Sequence, residues 1–429
     1  MFGKFGVIVK REDGEKNRII MKKVLFLTFA YPYGHFGPSD NCSVRVMDTL
    51  SISGKYEVWD LSYKPQASDS QPNYRIVEGV KHLYLPFPEK RPDYPYILEH
   101  LLLFLKIPIY PIFSIRSIRK HYNACKEILR NNDFDLVISQ CSPQDSVFTG
   151  ALLKRDGIIK RHMVLIWDNI YGTLPRRIIP KRFALSRSRK VENWIARYTD
   201  RIISPIPVKA FHDQYGDVSR AENKRVYLGH PLIVRPKVNS SSIKKSYIKK
   251  GCTNILYAGR LYSVEDLVYA ISIINNTACA ENINLILFFY RLPSEEEMKR
   301  MRMHFRGSIC FSGKVPYDEL LSIYPEVDMF MGFAGGSAAQ VISKIYDYIC
   351  FGKPVVYFYK DDCDVNVKEF SRYPLFLSVK IQDNTLENRE IEQFIMSCNS
   401  QTIPFHEVEK FFPEATGMAY VRQVEELID

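Results

Sequence analysis

Short apolar blocks recur along the chain, each closed by a polar or glycine-containing turn and followed by a segment whose apolar residues return every three or four positions. VLFLTF (24–29), EVWDLSY (57–63), DLVISQ (135–140), MVLIW (163–167) and RIISPI (201–206) have the length and residue types of buried strands. Helical spacing around 43–50, 119–130, 147–155 and 186–199 separates several of them. The rhythm restarts at NILYAG (254–259). It runs through a helix over SVEDLVYAISIINN, the strand INLILFFY (283–290) and a helix opened by the capping box Ser294 to Glu297. SICFS (308–312), a helix in PYDELLSIY, the strand VDMFMG (327–332), a helix carrying Ile342, Ile345 and Ile349, and the strand PVVYFY (354–359) complete the set. Gly352 supplies the left-handed stop of that last helix, and Pro354 blocks its continuation. Strands alternating with helices predict parallel sheets and an α/β chain.

At 429 residues the chain exceeds what one core usually supports, so two domains are expected. The stretch 230–251, rich in Ser, Pro and Lys, separates the two runs and reads as a linker. The predicted division is an N-terminal extension (1–20), a doubly wound, Rossmann-like unit (21–235), a second such unit (236–405) and a helical segment (406–429). MKKVLFLTFAYP from Met21 reads as the natural start of the first strand, which sets the extension apart. TGMAYVRQVEELI (416–428) has helical spacing and is expected to cross back to the first unit. Two doubly wound units facing each other would leave an interdomain cleft at the carboxyl ends of their strands, where such sheets bind ligands.

Composition narrows the class. A hydrophobic content of 46% with 25% charged residues is ordinary for a soluble globular protein. No window supplies the ~20 uninterrupted apolar residues of a membrane span. LEHLLLFLKIPIYPIF (98–113) comes closest and is broken by Lys106, Pro108 and Pro111. The first twenty residues lack the apolar core and small-residue cleavage site of a signal peptide. The nine cysteines include no C-x-x-C pair and mostly sit in apolar patterns, which suits reduced thiols and a cytoplasmic protein. The nine histidines form no metal-ligand spacing, so no metal is expected.

Charge is unevenly divided. Residues 1–230 hold 37 Lys and Arg against 23 Asp and Glu, whereas the remainder holds 22 against 25. A basic first half seeks an anionic partner. PRRIIPKRFALSRSRK (175–190) is the densest cluster, and IRSIRKHYNACK (115–126) directly follows the apolar run. Apolar residues beside basic ones suit an anionic membrane surface, with a solvated basic face as the alternative. No zinc finger, RNP-type aromatic pattern or KH loop points to nucleic acid.

Lys344 poses a chemical question. It falls in the opening turn of its helix, where a cation opposes the macrodipole. Gly335 and Gly336 precede it, and a helix N-terminus behind a glycine turn offers amides and close backbone approach to an anion. A diphosphate there would neutralise the concentrated positive charge. Asp347, three residues on, shares the helix face and could accept two hydrogen bonds from the vicinal hydroxyls of a ribose. Phosphate at the lysine and ribose at the aspartate describe a nucleotide; a solvated lysine and a dipole-complementing aspartate are the alternative.

SKIYDYICFGKPVV resembles the signature of GT-B glycosyltransferases, particularly the glycosyltransferase 4-like group, in which S-K-x-x-[ED]-Y precedes G-K-P-V. AGRL (258–261) resembles the family's G-R-L turn, and FSGKVPYDELLSIYPEVDMFM (311–331) its stretch of G-x-V, E-L, Y and D. VLFLTFAYPYGHFGPSDNCSVR matches the glycine-loop opening, and SPQDSVFTGALLK with LIWDNIY the middle, so the resemblance spans 21–360. It implies a GT-B fold and transfer of a sugar, with retained anomeric configuration, from a nucleotide diphosphate donor to a saccharide hydroxyl acceptor. No cofactor is then needed, since the nucleotide sugar is a substrate.

Carried over by position, the resemblance implies that Arg260 and Lys344 contact the donor diphosphate. Val315 would meet the nucleobase through its backbone, Asp347 the ribose, and Gly335, Gly336, Gln340 and Ser343 would line the sugar and phosphate pocket. Gly37 would approach the diphosphate from across the cleft, with His35 nearby as a catalytic candidate or a solvated loop residue. Two positions depart: Ala339 stands where the family often has a first carboxylate, and Glu265 where it usually has a lysine. Asp168, where LIWDNIY leaves its strand, is a candidate base or acceptor ligand, or else an Asx turn or helix cap. Arg45, expected to begin the first helix, could reach an anionic acceptor or make a surface ion pair. An acceptor on a polyprenyl diphosphate carrier, in bacterial surface polysaccharide assembly on the inner membrane face, would account for the apolar run and the basic clusters. A nucleotide-sugar epimerase and a non-catalytic nucleotide-sugar or membrane-binding protein are the alternatives.

Overall fold

The computed structural model describes residues 21–29, 38–63, 79–85, 115–141, 144–167, 180–207, 209, 213, 222–236, 245–336, 338, 340–381, 388–398 and 401–428. The first half contains β1 (Lys22–Leu27), α1 (Pro38–Ile52), β2 (Tyr56–Tyr63), β3 (Val80–Leu85), α2 (Ile115–Arg130) and β4 (Leu136–Cys141). It continues with α3 (Gln144–Arg155), β5 (His162–Ile166), α4 (Lys181–Arg197), β6 (Arg201–Pro205) and β7 (Arg225–Leu228). Its seven strands form one parallel sheet, sheet A, in the order β3-β2-β1-β4-β5-β6-β7.

Sheet B takes β8 (Thr253–Gly259), β9 (Ile283–Phe289), β10 (Ser308–Ser312), β11 (Met329–Phe333), β12 (Val355–Tyr359) and β13 (Phe376–Lys380). Between them lie α5 (Val264–Asn275), α6 (Glu295–His304), α7 (Tyr317–Ile323), α8 (Ser343–Cys350) and α9 (Val365–Phe370). The strand order is β10-β9-β8-β11-β12-β13, again parallel. β4 and β5, inside sheet A, and β9, inside sheet B, are buried at every position, because helices cover both faces of a parallel sheet. Both sheets reverse strand order beside their first strand, at β1/β4 and at β8/β11. These topological switch points are where doubly wound folds place ligands.

The apolar blocks of the sequence fall in strands, and the capping box at Ser294 opens α6. β3, β7 and β13 went unanticipated; all three are short sheet-edge strands with partly exposed positions, so their periodicity is weak. The first helix begins at Pro38, whose fixed φ suits the opening turn, rather than near Ser43. Arg45 therefore lies well inside α1 instead of opening it.

The chain passes from β7 to β8 between Leu228 and Thr253 and ends in α10 (Asn388–Cys398), α11 (Phe405–Phe411) and α12 (Gly417–Ile428). α11 packs on α8, and α12 packs on α1 of the first half. Tyr420, Val421 and Val424 join Cys42, Val46, Met47 and Leu50 in one apolar core. The Tyr420 hydroxyl donates to the Gly229 carbonyl at 2.7 Å, and Lys55 and Arg201 pair with Glu425 and Glu426, each at 2.6 Å. A Cβ on Gly417 would overlap the Thr49 side chain, so the two helices meet at contact distance. The nine cysteines are free thiols, five of them buried.

Candidate functional site

At the carboxyl edge of sheet B, β11 aligns with β8 only at Met329↔Ile255 and Phe330↔Leu256. Beyond Leu256 the strands part, and the Tyr348 side chain of α8 fills the gap. Its hydroxyl accepts from the Ala258 amide at 3.0 Å and donates to the Ala258 carbonyl at 3.2 Å, so both backbone groups of the parted strand are satisfied. Its ring stacks on Phe330 with centroids 4.2 Å apart. Ile345 and Ile349 are fully buried, and the Tyr346 hydroxyl donates to Glu369 at 2.8 Å. α8 is thereby fixed against the residues that run into Gly259 and Arg260. Tyr348 lies inside the S-K-x-x-D-Y motif region, yet nothing in the sequence reveals this bond.

The turn from β11 into α8 is held by a buried polar clamp that sequence reasoning missed. Asn366 accepts from the Ile342 amide at 2.8 Å and donates to the Gln340 carbonyl at 2.9 Å. Asp364 accepts from the backbone and side-chain nitrogens of Asn366, both at 2.8 Å, and from the Tyr357 hydroxyl at 2.9 Å. The Val365 amide adds a bond to the Ala338 carbonyl at 2.9 Å. Burial pushes the Asp364 carboxyl up, and the bonds from Asn366 and Tyr357 partly offset this. The α8 N-cap, Ile342, makes no side-chain cap, and its carbonyl accepts from the Ile345 amide at 3.1 Å.

Gly335, Gly336, Gln340, Ser343 and Lys344 belong to this turn, and Arg260 meets it through the Tyr262 ring. Gly335 is partly buried and Gly336 exposed; a Cβ on Gly335 would lie 2.8 Å from the Gln340 side-chain oxygen, and one on Gly336 3.3 Å from the Tyr262 ring. Gln340 is exposed. Arg260 is exposed at the end of β8, its guanidinium 5.2 Å from the Tyr262 ring centroid. Ser343 and Lys344 form the first turn of α8 and are partly buried. Val315 follows β10, its side chain packed against the core. Burial raises the Asp347 carboxyl above the ordinary carboxylate range; the charges of Lys344 and Arg45 and a hydrogen bond with Tyr317 pull the other way. Arg45, from α1 beside sheet A, lies close enough for its charge to bear on Asp347 beside sheet B.

Sheet A has its own polar cluster at the β1/β4 switch. Phe29, just past β1, adopts φ 48°, a left-handed conformation that is strained for a bulky residue. Its ring stacks on His121 of α2 at 4.2 Å. His121 Nε2 bonds the Tyr63 hydroxyl, and His121 Nδ1 lies 3.9 Å from Asp145 Oδ2, which also accepts from Ser117 at 2.5 Å. Burial lowers the His121 pKa against the pull of Asp145, and burial with the Asp145 charge pushes Tyr63 up to about 12. These side chains come from four separate elements, so no local motif announced them. Trp167 is pinned at the end of β5 by its indole N–H to Ser43 Oγ at 2.9 Å. Asp168, His35, Gly37 and Ala339, together with the apolar run 98–113, lie outside the described residues.

No protein-family model matches this sequence, and no curated protein matches it. Its structure does resemble solved ones. HepE of Anabaena, in complex with UDP and glucose, is 14% identical with a TM-score of 0.57, over 94% of this chain and 98% of that one. A glycosyltransferase from Rickettsia africae is 11% identical with a TM-score of 0.58, over 95% and 98%. The UDP-GlcNAc 2-epimerase of Methanocaldococcus jannaschii is 11% identical with a TM-score of 0.57, over 95% and 100%. At such identities the likeness extends to the fold, and the chain has the two-sheet, Rossmann-like GT-B fold.

Proposed function

We propose that this protein is a glycosyltransferase that moves a sugar from a nucleotide diphosphate donor to a saccharide hydroxyl. One observation carries the reading: a two-glycine turn and an uncapped helix N-terminus bearing Lys344 sit at the switch point of sheet B. The departing diphosphate needs positive charge and oriented N–H groups where its own charge grows. The first-turn amides of α8, Lys344 and Arg260 would supply them, and Asp347 would take the ribose hydroxyls. Gly335, Gly336, Gln340 and Ser343 would line the phosphate and sugar pocket, with Val315 at the base. Closure of the sheet A half over the donor would exclude water. Gly37 and His35 would then face the diphosphate, and Asp168 and Arg45 the acceptor. The HepE structure was solved with UDP bound, which is consistent with a nucleotide partner here.

The acceptor is proposed to be carried on a polyprenyl diphosphate at an anionic membrane surface, in the assembly of a surface polysaccharide. Among the described residues no helix is long and apolar enough to cross a membrane. The first turns of α2 and α4 nevertheless expose apolar and basic side chains together. Ile115 is 57% exposed and Phe183 41%, beside exposed Arg116, Arg119 and Lys120 and exposed Arg182. That pairing suits peripheral attachment at the inner face of the cytoplasmic membrane.

A nucleotide-sugar epimerase is the second reading, favoured by the epimerase among the structural neighbours. Incubation with radiolabelled nucleotide sugars, with and without a lipid-linked saccharide fraction, separates the two. A transferase moves label into the lipid fraction and releases nucleoside diphosphate. Conversion of the donor to an epimer without such release overturns the proposal. Binding without any turnover would leave a nucleotide-sugar-binding protein.

A further inference from the structure

We infer that Lys360 is a third cation of the donor diphosphate site, reaching the glycine turn from the far side of β11; this rests on the proposed donor site. Lys360 follows β12 directly, and β12 lies beside β11, with the Ala334 amide donating to the Phe358 carbonyl at 2.9 Å. Its ammonium does not stay over its own strand. It pairs with Asp266, in the first turn of α5, at 2.6 Å. α5 follows β8, and the order β8-β11-β12 puts the end of β11 between the two partners. The Lys360 side chain therefore spans the exit of β11, the strand that leads into Gly335 and Gly336. Tyr262, two residues ahead of α5, lies against Gly336 and beneath Arg260, which places that guanidinium at the same turn.

The pair is built to open. Lys360 is 51% exposed against 12% for Asp266, so the ammonium end of the pair stands open to solvent. Asp266 has other support: its amide donates to Ser263 Oγ at 3.1 Å, the Ser263 hydroxyl is shared between its carboxylate at 3.0 Å and that of Glu265 at 2.8 Å, and a carboxylate is favoured at a helix N-terminus. Losing Lys360 would not strand it as an unpaired buried charge. Glu265, beside it, is an exposed carboxylate held below its usual range by its own backbone amide, by Ser263 and by the Lys360 charge. Asp266 thus holds a solvent-exposed ammonium next to the turn where the donor's phosphates are proposed to lie. A diphosphate, with its higher charge density, would take the ammonium from Asp266 and leave the carboxylate on its helix cap.

Calorimetric titration of the full-length protein with UDP, GDP, ADP and dTDP, and with the matching nucleosides, tests this. Lys360→Ala is expected to weaken the diphosphate that wild type binds by about tenfold or more, as loss of a charge-assisted contact does, and to leave the nucleoside unchanged. Glu265→Lys in the Lys360→Ala background returns a cation to the same place and should recover most of the lost affinity. Undiminished diphosphate affinity in Lys360→Ala overturns the inference while leaving the donor site standing. Equal weakening of nucleoside and diphosphate, with no recovery by Glu265→Lys, makes Lys360 a structural residue and overturns it as well. No binding of any nucleotide by wild type would instead remove the functional reading on which it rests.

Discussion

Asn366→Ala tests whether the buried clamp exists to hold the proposed ligand turn. Asn366 is fully buried and serves two segments at once, taking the Ile342 amide on its oxygen and giving its nitrogen to Gln340 and Asp364. Alanine leaves the Ile342 N–H and the Gln340 carbonyl without these partners, and each unsatisfied buried group costs roughly 1–3 kcal/mol. Gln340 is exposed and water can reach it, so the Ile342 amide and the Asp364 carboxylate carry most of the loss. The expected destabilisation is about 2–3 kcal/mol, lowering the Tm by roughly 5–10 °C for a unit the size of the second half. The loss should not stop at stability. Gln340 and Ile342 would lose their tie to Asn366, and a ligand would have to order them again at about 1–2 kcal/mol per residue. Nucleoside diphosphate affinity should therefore fall about tenfold or more, measured by calorimetry well below the melting transition. Asn366→Asp keeps the acceptor for Ile342 but loses the donor to Gln340 and faces Asp364 with a second carboxylate, so it should also weaken binding. A destabilised Asn366→Ala protein that binds nucleotide with wild-type affinity would show that the clamp supports the fold alone and that the turn is not the ligand site.

Three further outcomes follow from named contacts. Lys344→Ala should weaken a nucleoside diphosphate about tenfold or more while leaving the nucleoside unaffected, whereas Asp347→Asn should weaken both; titration with each ligand separates the two effects. His162 is fully buried, bonded through Nδ1 to the Tyr198 carbonyl at 3.0 Å and through Nε2 to Ser139 Oγ at 3.0 Å, and burial lowers its pKa from 6.5 to about 4. The unfolded chain binds this proton first, so the stability is fully present above pH 6.5 and is lost as pH falls toward 4, by about 3 kcal/mol across that window. Urea denaturation from pH 7.5 to 4.5 reads the slope, and a His162→Gln protein with the same slope would assign it elsewhere. A Cβ on Gly150 would overlap the His162 ring and the Ser139 hydroxyl, so Gly150→Ala should destabilise by about 1–3 kcal/mol, and an unchanged urea midpoint would contradict this packing.

The alternation of strands and helices was legible because buried parallel strands are continuous apolar blocks, and β4, β5 and β9 are buried on both faces. α8 was legible in detail. Ile345 and Ile349 mark its buried face, and Gly352, at φ 71°, ends it with its Cα against the backbone of Ile403. The edge strands β3, β7 and β13 were not, since partly exposed strands mix polar with apolar residues. The gathering of Arg260, Gly335, Gly336, Gln340 and Lys344 at one edge could be anticipated from topology, because every one of them follows a strand of the same sheet. What stayed hidden were contacts between distant positions. Asn366 meets Ile342 across 24 residues, and Tyr348 meets Ala258 across 90. The influence of Arg45 on Asp347 spans both halves of the protein. Such contacts leave no spacing to read, and only the folded chain reveals them.

The edge of sheet B, at the turn into α8, is proposed to hold a nucleotide's phosphates. A crystal structure with a bound nucleoside diphosphate tests it most directly. The diphosphate is expected over Gly335 and Gly336, in contact with Lys344 and the first-turn amides of α8, with the ribose hydroxyls on Asp347. An ordered nucleotide bound elsewhere, with Lys344 turned to solvent, would contradict it.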